Sequence, residues 1–346
     1  MKTLMEQEIN EVGQVLGNLI SKYIVNYCIT VNFPSKFSRI KFVASGSSHN
    51  CAGIAEKFFR DIAECDASCE FSSEFLSNRN PRIDKDTLYF FISQSGETFD
   101  TSTALENVKK AGGMTFALTN TEVCKMNSLA DAYLNVEAGK EASIAATKSF
   151  TACVFGAWLC ALKLAQSKSI DISAHIEGIE KLPAAIEDII ANPKQFEVAA
   201  SFLAKQKSLP IVGYDYYYAA ARECALKTKE TTFIDANAYA LGEFMHGHMA
   251  LLTQKNEIIE IFTDDINPFE KKSLDKIKSK YNPKTIVITD YKGYLEKDYE
   301  ITFPKFKTMI FKVLALITIF QMLALKTAIK LKRNVDTPEG LDKVVM

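Results

Sequence analysis

The sequence is poor in the residues that would advertise a metal, a disulfide framework or a nucleic-acid partner. Its eight cysteines (Cys28, Cys51, Cys65, Cys69, Cys124, Cys153, Cys160 and Cys224) are scattered, often inside apolar runs, with no CxxC pair, and no secretory signal opens the chain at Met1. That spacing fits neither a disulfide scaffold nor a zinc ribbon, and it reads as reduced core residues in a cytoplasmic protein. The four histidines (His49, His175, His246, His248) form no HExxH and lie beside no cysteine cluster, so the common metal motifs are missing. No excess of one charge exists either. With 41 Lys and Arg against 42 Asp and Glu, no global field draws in nucleic acid or an anionic membrane, and neither is expected as a partner. Finally, the most apolar stretch, Met309 to Leu325, is interrupted by Lys312, Thr318 and Gln321. It falls short of the roughly 20 apolar residues that a bilayer span needs and reads as a buried helix.

What is present is enough apolar material, 47% of 346 residues, for two sizeable cores. After a helical N-terminal segment (1–33), short β-rich runs alternate with longer amphipathic ones. Ile40–Ala44, Leu88–Ser93, Thr115–Thr119 and Ala132–Val136 read as strands, with helices at Cys51–Ile62, Thr101–Lys110 and Ser149–Ala165. Beyond a helical connector the pattern restarts, with strands at Leu209–Val212, Thr232–Ala236, Glu257–Phe262 and Thr285–Thr289 and helices at Tyr218–Lys229 and Thr308–Leu331. Strands alternating with helices argue for α/β architecture with a parallel sheet covered on both faces. "IKFVASGSSHNCAGIAEKFFR" has a counterpart in "LPIVGYDYYYAAARECALKTK", which points to an internal duplication. Two αβα three-layer domains are expected, at 34–170 and 195–330, followed by a tail at 331–346.

In such sheets ligands gather beyond the carboxyl ends of the strands, where the helix N-termini also point. "SQSGET" sits at such an end, and its backbone amides, helix dipole and the donors Ser93, Gln94, Ser95 and Thr98 favour an anion. "SGSS", with Ser47 and Ser48, follows the first strand, and "AATKS" (Ala145 to Ser149) opens another helix. Each Ser or Thr taken singly is also what a simple N-cap would be. Three such turns in one domain favour an anion cradle. There is no GxxxxGK[ST], and "GSSHNCAG" lacks GxGxxG spacing, so the expected anion is a sugar phosphate.

"ECALKTKE" places Glu223, Lys227 and Glu230 at offsets of four and seven, on one helical stripe. Spacing alone leaves open an exposed salt-bridge ladder, worth a few tenths of a kcal/mol per pair, or an acid-base site. His246 stands in a turn-like stretch with apolar neighbours. The tail "RNVDTPEGLDKVVM" carries Lys343 among Leu341, Val344 and Val345. Docked and partly desolvated, that amine would form a Schiff base with a ketone; the alternative is an ordinary solvated terminal lysine.

"SGSS", "SQSGET", "AATKSF", "ECALKTKET", "AYALGEFMHG" and "VDTPEGLDKV" follow in the order and spacing of sugar isomerase (SIS) domain proteins. From about Ile40 to Val345 the chain resembles the isomerase module of glucosamine-6-phosphate synthase and the SIS-type glucosamine-6-phosphate deaminases. The resemblance implies tandem SIS domains with flavodoxin-like sheets and a phosphate pocket at Ser47, Ser48, Ser93, Gln94, Ser95 and Thr98, with Ala145 bordering the substrate. It implies that Glu230 moves the proton between C1 and C2 and that His246 helps to open the ring from the partner subunit of a homodimer with a shared active site. Lys343 would form the imine in a tail that enters that site, and Glu223 and Lys227 would border the sugar. No metal or organic cofactor is implied.

Four departures stand out. The family's "HGP" is "HGH" here, with His248 for proline; Ala146 replaces a serine; the arginine after the second-domain glycine is absent from "VGYDYYY"; and Met346 falls a few residues short of the synthase tail. With no room for a glutaminase, the expected reaction is isomerisation and deamination of glucosamine 6-phosphate to fructose 6-phosphate and ammonia. The alternatives are the isomerase half of an aminotransferase fed by a separate glutaminase subunit, a fructosamine-phosphate deglycase, a simple aldose-ketose isomerase, or a non-catalytic sugar-phosphate sensor.

Overall fold

A computed structural model describes residues 2–78, 82–254, 257–291 and 298–343. Its chain divides into two units, neither continuous in sequence. One comprises Glu11–Glu141, Ala146–Pro183 and, from the tail, Asp342 and Lys343; the other comprises residues 2–10, Ala142–Ala145 and Ala184–Leu341. Val344 and Val345, expected to anchor the tail, lie outside the described residues.

At the N-terminus, helices α1 (Leu4–Asn10) and α2 (Val12–Tyr23) lead into a two-stranded antiparallel hairpin, β1 (Ile24–Val25) and β2 (Cys28–Ile29). The hairpin ends the helical segment sooner than expected, because Asn26 and Tyr27 both take positive φ at its turn. It also leaves Cys28 exposed, unlike the core cysteine expected there.

The first unit is a five-stranded parallel sheet in the order β4 (Asp66–Phe71), β3 (Arg39–Ala44), β5 (Thr87–Ile92), β6 (Met114–Thr119), β7 (Ala132–Asn135). Every residue of β5, "TLYFFI", is buried, as a strand covered on both faces requires. Phe42, Phe90 and Phe116 fall in register across three neighbouring strands. Their rings pack 4.8–5.0 Å apart by centroid, a contact that adds to area burial. Around this sheet run α3 (Gly46–Asp61), α4 (Ser72–Ser77), α5 (Phe99–Lys110), α6 (Lys125–Leu129), α7 (Lys148–Ser167) and the short α8 (Ser173–Ile176).

After α9 (Leu182–Ile190) and α10 (Pro193–Leu203) the second unit forms its own parallel sheet. Its order is β12 (Tyr299–Thr302), β11 (Thr285–Thr289), β10 (Ile258–Phe262), β8 (Ser208–Gly213), β9 (Asp235–Ala240). Read from the opposite edge, this is the strand order of the first sheet, and both are the flavodoxin-like 2-1-3-4-5. The α/β class and the pair of parallel sheets are therefore as expected. The second unit's helices are α11 (Asp215–Thr232), α12 (Leu241–Phe244), α13 (Pro268–Tyr281) and α14 (Met309–Lys330). One strand moves: Thr232 ends α11, Phe233 closes that helix at φ +62°, and β9 begins only at Asp235.

Among the described residues two helices, α7 and α14, are long and apolar enough to cross a membrane, and 89% of each apolar window is buried inside the structure. They are core helices. Within α14, Lys312 is buried because Asp264 lies 2.5 Å from its ammonium, with Asp265 at 3.4 Å and Asp290 at 3.5 Å.

Candidate active site

The first two hydroxyl-rich turns leave the carboxyl ends of adjacent strands. Ser45 ends β3's turn and is the N-cap of α3, and Thr98 is the N-cap of α5, yet neither side chain bonds to its own helix. A capping bond is worth about 1 kcal/mol, so forgoing both is informative: the hydroxyls are employed elsewhere. The Ser45 Oγ donates to Asp100 at 2.6 Å. Ser93, buried at the end of β5, shares a 2.8 Å hydrogen bond with Thr98 and accepts from the Gly96 amide at 3.1 Å. The Ser95 Oγ accepts from the Glu97 amide, and the Gln94 carbonyl accepts from the Asn120 amide. Ser47 and Ser48 lie half-buried in the first turn of α3. Gly96 is needed where it stands, since φ is +67° and a Cβ would come within 2.2 Å of the Cys124 Sγ. Ser47, Ser48, Ser93, Gln94, Ser95 and Thr98 thus line two neighbouring strand ends and helix N-termini whose N-cap side chains make no capping bond.

The third turn is built differently. Thr147 is the N-cap of α7 and also bonds to no amide of its helix. Instead Glu141, whose side chain is fully buried, supplies the anion from within the chain. Its Oε1 accepts from the Thr147 amide (2.9 Å), the Thr147 hydroxyl (3.1 Å) and the Ser149 amide (3.1 Å), and its Oε2 accepts from the Ser149 hydroxyl at 2.6 Å. The last donor is Lys343 Nζ, 2.9 Å from Oε2. Burial opposes ionisation of Glu141, but the Lys343 charge and the hydrogen bonds from Ser149 and Thr147 outweigh it and hold the carboxyl below its usual range. The neighbouring Lys148 is buried against Glu11 at 2.5 Å. Ala145, fully buried, accepts through its carbonyl from the Ser143 hydroxyl.

In the second unit α11 carries the acid-base-acid stripe. It is no surface ladder. Lys227 is 1% exposed, with Glu230 at 2.5 Å and Glu223, 3% exposed, at 3.4 Å; Glu230 is the most open of the three at 20%. Burial alone would pull the Lys227 ammonium down, but the Glu223 and Glu230 carboxylates outweigh it and hold it above its ordinary value. The Ala-rich stretch around Ala219, Ala220 and Ala221 favours the helix and lets it pack closely against α14.

His246 lies in the turn after α12, exposed, with its amide donating to the Glu243 carbonyl at 2.9 Å. Gly247 follows at φ +126° with open space where a Cβ would stand. His248, the residue in place of proline, opens a 3-10 turn and packs its ring on Tyr239 at 4.6 Å.

The cradle residues and Lys343 therefore belong to one unit, and Glu223, Lys227, Glu230 and His246 belong to the other along with Ala145. Sequence reasoning missed Glu141, Asp100 and Glu11. A lone acid in "GKEASIAATKS" gives no periodic signal; only its place just before a helix start hinted at a partner for the first-turn amides.

The SIS domain family matches residues 35–163 and 202–303. The glutamine-fructose-6-phosphate aminotransferase (isomerizing) of Campylobacter jejuni is 30% identical over 353 residues, covering 99% of this chain and 58% of the relative. The chain thus spans little more than half the length of such relatives. Among solved structures, the C-terminal domain of glucosamine-fructose-6-phosphate aminotransferase from Francisella tularensis superposes with a TM-score of 0.89 at 24% identity, covering 98% of this chain and 99% of that one. A glucosamine-6-phosphate deaminase from Thermotoga maritima gives 0.79 at 19%, covering 99% of both.

Proposed function

Because the chain belongs to the SIS domain family, we propose that it is a phosphosugar isomerase whose reaction is the deamination of glucosamine 6-phosphate to fructose 6-phosphate and ammonia. What carries this reading is the burial of Lys227 between Glu223 and Glu230: taking three charges out of water costs several kcal/mol per ion before pairing, a cost a surface ladder would avoid. The two uncapped turns support a phosphate held by Ser47, Ser48, Ser93, Gln94, Ser95 and Thr98, with Ala145 beside the sugar. Gripping that distant group orients the reacting carbons.

In this reading His246 moves a proton between ring oxygen and anomeric hydroxyl to open the ring. Its exposure within its own subunit supports a role across a homodimer that shares its active site. Glu230 removes the C2 proton of the open-chain aldehyde and returns it to C1, leaving an imine at C2 and a hydroxymethyl at C1. The Lys343 amine adds to that imine and ammonia leaves; water then releases the ketose and regenerates the lysine. Glu223 and Lys227 fix Glu230 and border the sugar. The atoms balance with one water consumed and one ammonia released, in a cytoplasmic setting and with no metal or organic cofactor in any step.

The kinship with aminotransferases at 30% identity favours a second reading, in which this chain is the isomerase half and a separate glutaminase subunit delivers the ammonia. Ammonia and fructose 6-phosphate measured after adding glucosamine 6-phosphate separate the two. The deaminase reading expects turnover by the protein alone, abolished in Glu230→Gln. Tight calorimetric binding of the sugar with no ammonia released would overturn it.

A further inference from the structure

Glu141 has five donors around a carboxylate that offers about four lone-pair sites, and their distribution is uneven. Oε1 is saturated by the third turn's own Thr147 and Ser149, while Oε2 has one local partner, Ser149, and one from the tail, Lys343. The side chain of Glu141 is fully buried and that of Lys343 is 28% exposed. A buried carboxylate without a counter-charge is costly, and the adjacent cation cannot serve, because Lys148 is paired with Glu11. We infer that Glu141 is a positioning residue that docks the tail: its Oε2 fixes Lys343 against the N-terminal turn of α7, so that the turn and the tail lysine assemble together.

Docking stands on this geometry alone, whereas its catalytic consequence rests on the proposed function. In that setting Glu141 does not touch the sugar. It determines where the Lys343 amine waits, so that imine formation begins with the separation of the pair.

Hydrogen exchange of the tail peptide, followed by mass spectrometry, reads docking without reference to activity. Glu141→Gln keeps an oxygen acceptor for the turn but removes the charge. Tail exchange is expected to speed up about tenfold or more, the change that the loss of about 1.4 kcal/mol produces in a local opening equilibrium. Lys343→Gln should do the same with Glu141 intact, and the double variant should exchange no faster than either single one. This second variant keeps the test decisive if Glu141→Gln fails to fold. Tail exchange in Lys343→Gln within twofold of the unsubstituted protein, or additive effects in the double variant, would overturn the inference. Borohydride trapping of Lys343 with fructose 6-phosphate is the catalytic arm. A protein whose tail is released by Glu141→Gln but which traps no ketose and liberates no ammonia would refute the proposed function and leave the docking role standing.

Discussion

Lys227 Nζ lies 2.5 Å from Glu230 Oε2, one turn along the same helix, and almost no solvent reaches the lysine. With Glu223 at 3.4 Å on the other side, the amine stands between two carboxylates, which hold it charged. Replacing it removes the counter-charge that the two carboxylates share. Lys227→Ala should lower the free energy of unfolding by about 3–5 kcal/mol, the usual consequence of removing one partner from a buried ion pair. Urea denaturation measures this, and Glu223→Gln added to Lys227→Ala should recover part of the loss. A midpoint unmoved by Lys227→Ala would show the pair to be screened despite its burial.

Glu230→Gln preserves size and removes the proposed base. The expectation is a fall in kcat of about 10²-fold to 10⁴-fold with little change in KM, read from ammonia release. Because Glu230 is the most open of the three charged groups, stability should change less than in Lys227→Ala. Ammonia release within threefold of the unsubstituted rate would remove Glu230 from the chemistry.

At the cradle, Gly96→Ala introduces a Cβ 2.2 Å from the Cys124 Sγ and 2.8 Å from its Cβ, at φ +67°. Thermal unfolding should show a loss of about 1–3 kcal/mol, and KM for the sugar phosphate should rise more than kcat falls, since in the proposed function this turn holds only the phosphate. Cys124→Ala in the same chain should restore part of the stability by removing the sulfur. Complete restoration would show that backbone strain contributes nothing.

Lys312 ties Asp264, Asp265 and Asp290 to the first turn of α14. Burial raises the Asp264 carboxyl, but Lys305 and Lys312 outweigh this and bring it down to about 2. A carboxyl whose folded value is depressed contributes stability that is present above its unfolded value, near 4, and is lost as pH falls towards the folded one. Without Lys312 the depression shrinks, so that contribution disappears at higher pH. Lys312→Met should therefore destabilise by several kcal/mol at pH 7 and by less at pH 4, where the carboxylates of the variant, no longer held down by the lysine, take up protons and relieve part of the cost. Equal destabilisation at both pH values would mean that the lysine acts through packing alone.

How far the sequence revealed the fold depended on where each strand lies. The interior strands β3, β5, β6, β8, β10 and β11 are mostly apolar and mostly buried, and they were legible. Within the two five-stranded sheets the strands missed or misplaced, β4, β9 and β12, all lie at an edge, where half-exposed residues such as those of "DASCEF" give no apolar run. α13 escaped notice because "PFEKKSLDKIKSKY" is mostly charged, although Asn267 caps it by accepting from the Phe269 and Glu270 amides. At the site, the hydroxyl turns and the stripe on α11 are local patterns and could be read directly. Glu141 could not, because its meaning comes from Lys343, 202 residues away.

That separation has a consequence for biogenesis. At roughly 5–20 residues per second, a ribosome needs on the order of 10–40 seconds to travel the 202 positions from Glu141 to Lys343. Throughout that interval the nascent front lobe lacks the ammonium that its interior acid will finally meet. Completion of the earlier-translated lobe is thus deferred until the later one has been made, and a premature stop codon in the tail would weaken a region decoded long before it.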